Sequence, residues 1–298
     1  MIHVIYRSYG GENKKGRPAF YSKLVALVSI VHALAEFEGK GEIIFLNDGP
    51  IPRDRLHVME RSGEILARSQ LGMRGSMRTA LALPAQRGWP DRDLVWFAED
   101  DYLYRADSIS ALDSAAKEFP DAAYFALYAT IGNRLPNGFP SDDARVPDGW
   151  RDSEPRLVQG HPWRRALSTT STFGARVEPL LEDRPMMHAA MWSGGAWDHT
   201  TCLIYQGYAP YPLPFVTQAL RQAEGVKEWT RRAAVSAARL GLNGYQIARR
   251  RAGLGGKQLI APDPALATHM ETAYLALGTD WSAIAERTTR WGEEQGLI

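Results

Sequence analysis

Three adjacent carboxylates interrupt the stretch 94-LVWFAEDDYLYRADSI-109, where Glu99, Asp100 and Asp101 follow an apolar run and lead back into aromatics. Crowded acids repel one another and resist desolvation. Their position at the end of a buried segment therefore asks for a partner. Hard oxygen ligands on a strand-end loop suit Mg²⁺ or Mn²⁺, above all when substrate phosphates complete the shell. The plainer reading of an isolated Glu-Asp-Asp is a solvated acidic turn with Asp101 near a helix start, and the buried strand before it weighs against that. A second constellation is 191-MWSGGAWDHTTCL-203. Gly194 and Gly195 allow close backbone approach or a positive φ, and Asp198 and His199 fall where a helix would begin. Asp198 as a simple N-cap is one reading. The flanking Trp192 and Trp197, which suit either sugar stacking or a core, favour a functional turn. The third is 266-LATHMET-272, whose lone His269 would ordinarily be structural.

These residues are carried by alternating elements. His3 to Tyr6 reads as a short buried strand, followed by the polar loop 8-SYGGENKKGRP-18, with Pro18 opening a helix. Leu24, Leu27, Val28, Val31 and Leu34 repeat with the helical period. Glu42 to Leu46 is a strand closed by Asn47-Asp48-Gly49-Pro50. A helix is expected from Ser76 to Gln86, then strands at Leu94 to Ala98, Ala123 to Ala129 and Leu167 to Phe173. Short helices follow at Pro179 to His188 and Trp197 to Tyr205. Ile131 to Arg165 has little periodicity and is too long for a plain connector. Strand–helix alternation implies a mainly parallel sheet with ligands at the carboxyl ends of its strands, which is where the acidic cluster lies. The expected class is α/β, a mixed but mainly parallel Rossmann-type sheet flanked by helices, with a C-terminal helical extension. Residues 1–215 form the expected catalytic domain and 216–298 a basic helical extension that completes the active site.

Composition limits the alternatives. The chain has 298 residues, of which 45% are hydrophobic and 23% charged, which is ordinary for a globular protein. A formal net charge of +1 predicts no global attraction to polyanions. One cysteine, Cys202, excludes an intrachain disulfide and a Cys-rich zinc site. With no secretory pattern at the N-terminus and no bilayer-length apolar run, a cytoplasmic location is expected. Peripheral contact with the inner membrane face is compatible with it.

In order and spacing the segments resemble the GT-A-fold glycosyltransferases of the family-2-like group. There a first strand leads to a helix, and a second strand ends in an acidic turn like 45-FLNDGP-50. A Gly-Ser helix start then precedes a buried strand and a D-x-D motif, the order of 75-GSMRTALALPAQRGWPDRDLVWFAEDD-101. The resemblance covers roughly Met1 to Leu203, with His269 as an outlying match. It implies Asp48 on the donor's base or ribose, Gly75 and Ser76 beside the nucleotide, and Glu99 with Asp101 as the D-x-D equivalent. Glutamate replaces the first aspartate of that motif. Asp100, Tyr9, Arg7 and Arg74 complete the expected nucleotide-sugar contacts, the two arginines being placed for the pyrophosphate at a strand end and a helix start. The metal ligands implied are Asp101, Glu99 and His269; an imidazole tilts the choice from Mg²⁺ toward Mn²⁺. Many relatives carry a Gly-Gly turn and an acidic pair whose acid deprotonates the acceptor. That role passes to Asp198, with His199 as competitor.

The implied activity is metal-dependent transfer of a sugar from a UDP- or GDP-sugar to a hydroxyl on a glycan, a lipid-linked acceptor or a nucleic acid, with inversion. From Arg221 to Lys257 nine Lys or Arg stand against Glu224 and Glu228, either a solvated face or a peripheral contact with anionic membrane or polyanion. Gly253-Leu254-Gly255-Gly256 would serve as a loop hinge. Two rival functions follow. A metal-dependent nucleotidyltransferase is favoured by the Gly- and Lys-containing loop after the first strand. A non-catalytic polyanion-binding protein is favoured by the basic helices.

Overall fold

The computed structural model describes residues 1–68, 70–140, 145–216, 226–254 and 256–298. The first half runs β1 (Ile2–Tyr9), α1 (Lys23–Ala35), β2 (Gly41–Asp48), α2 (Arg53–Ser62), β3 (Glu64–Arg68), α3 (Gly72–Arg87), β4 (Leu94–Glu99), β5 (Tyr102–Tyr104), α4 (Ser108–Glu118), β6 (Ala122–Phe125) and β7 (Ala129–Thr130). The second half runs β8 (Arg156–Val158), β9 (His161–Arg165), β10 (Ser168–Thr169), β11 (Phe173–Arg176), α5 (Val177–Ala190), α6 (Trp197–Tyr205), α7 (Val226–Arg251), β12 (Gln258–Pro262), β13 (Ala267–His269) and α8 (Trp281–Glu294).

Nine strands form one sheet in the order β3-β2-β1-β4-β11-β6-β12-β9-β8. β1, β2, β3 and β4 are mutually parallel, and β11 lies antiparallel between β4 and β6. The expected mixed, mainly parallel sheet is present. The continuous apolar runs of β1, β2 and β4 follow from burial on both faces. On one face Tyr6, Phe45 and Trp96 pack against α1, and on the other Ile5, Leu46 and Phe97 pack with α3 residues such as Met77 and Leu81. The register of β1 pairs Arg7 with Glu99 and Tyr9 with Asp48, so the three strands deliver their polar ends to one edge.

Several boundaries shift. α1 begins after Ser22, whose hydroxyl accepts from the Leu24 and Val25 amides, while Pro18 to Tyr21 makes a turn before it. α3 starts at Gly72 rather than Ser76, with Gly72 at φ +68, a conformation glycine adopts without strain. The run expected as one strand from Ala123 to Ala129 divides into β6 and β7, and Leu167 to Phe173 divides into β10 and the start of β11. The Ile131 to Arg165 region holds the β8–β9 hairpin at the sheet edge, and its residues 141–144 lie outside the described residues.

The segment after residue 216 is more than a helical extension. β12 returns to the sheet between β6 and β9, because its Leu259, Ile260 and Ala261 are fully apolar and buried. The sheet therefore runs across the expected boundary at 215/216. A buried charge cluster locks this return: Asp183 on α5 accepts from Lys257 Nζ at 3.0 Å and from the Tyr124 hydroxyl at 2.7 Å, and forms an ion pair with Arg249 Nη1 at 2.8 Å. Two of the basic residues between 221 and 257 are thereby consumed inside the fold. Residues 217–225 and Gly255 lie outside the described residues. No helix among the described residues is long and apolar enough to cross a membrane.

Candidate functional site

A cleft of about 800 Å³ opens at the carboxyl edge of β1, β2 and β4. It gathers Arg7, Tyr9, Asp48, Ser76, Glu99, Asp100, Asp101, Asp198 and His269 into one lining. Arg74, Gly75 and His199 lie outside that lining. Arg74 is exposed, with its guanidinium 4.8 Å from the Trp192 ring centre. Gly75 is within α3, where an added Cβ would come 2.7 Å from Leu71 Cβ.

The three acids have three different surroundings. Glu99, the last residue of β4, meets Arg7 Nη1 at 3.2 Å. The same guanidinium donates to Ser76 Oγ and the Met73 carbonyl, so one buried arginine joins β1, β4 and the first turns of α3. Burial raises the Glu99 carboxyl; Arg7 opposes this, and the charges of Asp101 and Asp198 add to it. Asp198 is thus near enough across the cleft to act on Glu99 electrostatically.

Asp100 turns back into the fold. Its Oδ2 accepts from the Tyr9 amide at 2.8 Å and from Lys23 Nζ at 2.9 Å, with Arg55 Nη1 at 3.8 Å. Lys23 also donates to the Tyr9 and Gly11 carbonyls, so this acid clamps the loop after β1. Burial still pushes its carboxyl up. Asp100→Ala leaves two buried cations without their carboxylate. The expected loss is about 3 kcal/mol, the low end for breaking a buried pair, because Lys23 keeps both carbonyls. Urea unfolding of the variant measures it, and a loss under about 1 kcal/mol would contradict the assignment.

Asp101 faces the opposite way. Its Oδ2 lies 3.0 Å from His269 Nε2 and 3.2 Å from Arg17 Nη2. Burial acts to raise this carboxyl, but the His269 hydrogen bond and the charges of His269, Arg17 and Lys15 overcome it and hold it at about 2. His269 arrives through the β5–β13 ladder, which pairs it with Tyr102 and stacks the two rings at 5.0 Å. Its other nitrogen lies 3.9 Å from Glu271, which pairs with Lys15 at 3.0 Å.

The opposite wall comes from the turn before α6. Gly194 and Gly195 both take left-handed φ values, +71 and +75, which any side chain would strain. Ala196 is the N-cap residue, so Asp198 is not the cap. It occupies the first turn, where a carboxylate is favoured by the helix dipole, and its Oδ1 accepts the His199 amide at 2.9 Å. On the β2 side, Asp48 accepts from the Leu71 amide at the start of α3. Ser8 is among the lining residues, and its buried Oγ has no hydrogen-bond partner among the described residues. Arg17, Lys15 and Glu271 were not singled out from the sequence. The polar loop 8–18 was the only signal for the first two.

As a metal site the donors fit in part. Among the described residues no three acidic, histidine or cysteine side chains converge as a ligand set, and Glu99 is engaged by Arg7. Asp101 Oδ2 and His269 Nε2, hydrogen-bonded to each other at 3.0 Å, are the two donors left. Two such donors would leave most of a divalent ion's shell to phosphate oxygens and water, an arrangement known for Mg²⁺-type sites.

No protein-family model matches the chain, and no curated protein matches it. Among solved structures, the chain is similar to S. aureus TarS 1–349, at 10% identity over 84% of this chain and 73% of that one, with a TM-score of 0.43. The same protein in complex with UDP matches at 12% identity over 84% and 72%, with a TM-score of 0.44. A CMP:2-keto-3-deoxy-manno-octonic acid synthetase complexed with CTP matches at 11% identity over 98% and 99%, with a TM-score of 0.42. At this level of likeness no activity transfers to the chain.

Proposed function

We propose that this cleft binds a nucleoside-diphosphate sugar and transfers its glycosyl group to an acceptor hydroxyl. The observation that carries the reading is the convergence in one cleft of the Asp101–His269 pair, the β2-end Asp48, and Asp198 on the facing wall. Asp48 and the unpartnered Ser8 hydroxyl offer polar contacts to a base or ribose at the ends of β2 and β1. Arg17 and Lys15 place positive charge where a diphosphate would meet Asp101. A divalent ion held by Asp101 and His269, Mn²⁺ or Mg²⁺, would neutralise charge on the departing diphosphate. Asp198 would take the acceptor's proton as its oxygen attacks the anomeric carbon from the side opposite the leaving group, giving inversion. Of the Asp198–His199 pair, only Asp198 lines the cleft.

Nucleotidyl transfer remains the second reading, because Lys15, in the loop directly after β1, lines the same cleft. The deciding experiment is a thermal-shift panel of UDP- and GDP-sugars against CTP and UTP, each with and without Mn²⁺. A ligand at about a hundred times its dissociation constant stabilises by about 2.7 kcal/mol, a shift of several degrees. A metal-dependent shift with a nucleotide sugar supports glycosyl transfer. A response confined to the triphosphates, with pyrophosphate released on adding a sugar acid, supports the rival. Indifference to all of them ends both readings.

A further inference from the structure

α7 has an inner and an outer face of opposite character. Ser236, Arg239, Leu242, Gln246 and Arg249 are buried against the body of the protein. The outer face carries Trp229, Leu240 and Ile247 at 54%, 49% and 51% exposure, with Val226 and Leu254 extending the stripe at either end. Val226, Ala233, Leu240 and Ile247 recur every seven residues, so they stay on one side of a helix roughly 39 Å long for its 26 residues, and Leu254 follows just beyond its end. No described residue covers these side chains.

The charge pattern identifies what would. Arg239 is spent on the Ser193 carbonyl and Arg249 on Asp183, while Arg232 pairs with Glu228. Lys227, Arg231, Arg250 and Arg251 remain exposed, two at each end of the apolar stripe. From Trp229 to Pro262 the sequence contains no Asp or Glu. A second copy docked through this helix, parallel or antiparallel, would bring cation clusters together with Glu228, already paired with Arg232, as the one acid on each helix. A nucleic acid would engage the cations and leave the apolar stripe in water. An anionic bilayer surface satisfies both features at once, burying the stripe at the headgroup boundary and pairing the flanking cations with lipid phosphates.

We infer that α7 is an interfacial helix that docks the protein, apolar stripe down, on an anionic phospholipid surface. The inference does not depend on the glycosyl-transfer reading. It has a positional consequence. Arg239, on the inner face of α7, donates to the Ser193 carbonyl at 2.9 Å, immediately before the Gly194-Gly195 turn that leads to Asp198. Docking therefore sets the Asp198 wall of the cleft close to the bilayer.

The test is vesicle sedimentation of the full chain with phosphatidylcholine alone and with about 25% phosphatidylglycerol added. The expected result is binding at least about tenfold stronger to the anionic vesicles. Leu240→Glu with Ile247→Glu should remove it, and Arg250→Gln with Arg251→Gln should weaken it about fivefold per charge. All of these side chains face solvent, so the melting temperature should stay unchanged and certifies the fold. Three outcomes overturn the inference: no preference for anionic vesicles, equal binding by the Leu240→Glu/Ile247→Glu variant, or binding to heparin or RNA without binding to vesicles. A concentration-dependent dimer that the same variant abolishes, with no vesicle binding, assigns the face to a second copy instead.

Discussion

Asp101→Asn is expected to lower kcat/KM for sugar transfer by about a thousandfold or more, equivalent to about 4 kcal/mol of transition-state stabilisation. The substitution keeps the size of the side chain and its capacity to accept from Arg17 and His269, and removes only the charge. That charge is firmly present: the carboxyl sits at about 2, so it is ionised at any pH near neutral. Its loss leaves Arg17 without its carboxylate and takes one of two protein donors from the proposed divalent ion. The Mn²⁺-dependent part of the nucleotide-sugar thermal shift should vanish with the activity, while unliganded melting should change by only a few degrees. His269→Gln is the companion. It should raise the Mn²⁺ concentration needed for half-maximal activity while leaving activity at saturating metal largely recoverable. Full turnover in Asp101→Asn would place the chemistry elsewhere and remove the Asp101–His269 pair from it.

The division of labour within Glu99-Asp100-Asp101 explains how such crowding is tolerated, and it marks what a one-dimensional reading reaches. The apolar run of β4 and the acids after it located the edge of the sheet correctly, because burial on both faces leaves a continuous hydrophobic signature that ends where the strand meets solvent. Which acid is tied to buried cations of the fold was not legible. That depends on Lys23 and Arg55, helical residues whose side chains return to the loop after β1 and capture Asp100. Arg17 was similarly hidden: in sequence it belongs to a polar loop, and its partner is 84 residues away. His269 was found by resemblance rather than by pattern, since β13 is three residues long and too short to show a period. α8 lies within the expected helical extension 216–298, but its bounds were not drawn, since its buried face mixes Trp281 with Ala285, Thr288 and Gly292. β12 was missed because a five-residue, mostly apolar run directly after the basic region that ends at Lys257 was absorbed into the helical extension.

Asp198→Asn carries the second large effect: turnover should fall by about 10²–10⁴, the range for removing a positioned general base, with donor binding unchanged. The geometry makes the two readouts separable. Asp198 stands on α6, across the cleft from the strand ends, and its Oδ1 bond to the His199 amide is one an asparagine oxygen can also accept. The hydrogen bonds of Asp48, Ser76 and Asp101 described above run to Leu71, Arg7, Arg17 and His269, although the Asp198 charge reaches Glu99. The thermal shift with nucleotide sugar should therefore match wild type while transfer collapses, a kcat effect without a donor KM effect. His199→Gln supplies the control. If the imidazole is the base, its loss produces the collapse and Asp198→Asn retains more than about a tenth of turnover. If Asp198 is the base, His199→Gln costs little. A third pattern, in which both variants lose donor binding, would mean that the turn after Gly195 shapes the donor pocket rather than the acceptor side, and the base would have to be sought on the β-strand edge itself, where burial raises the carboxyls of Glu99 and Asp100.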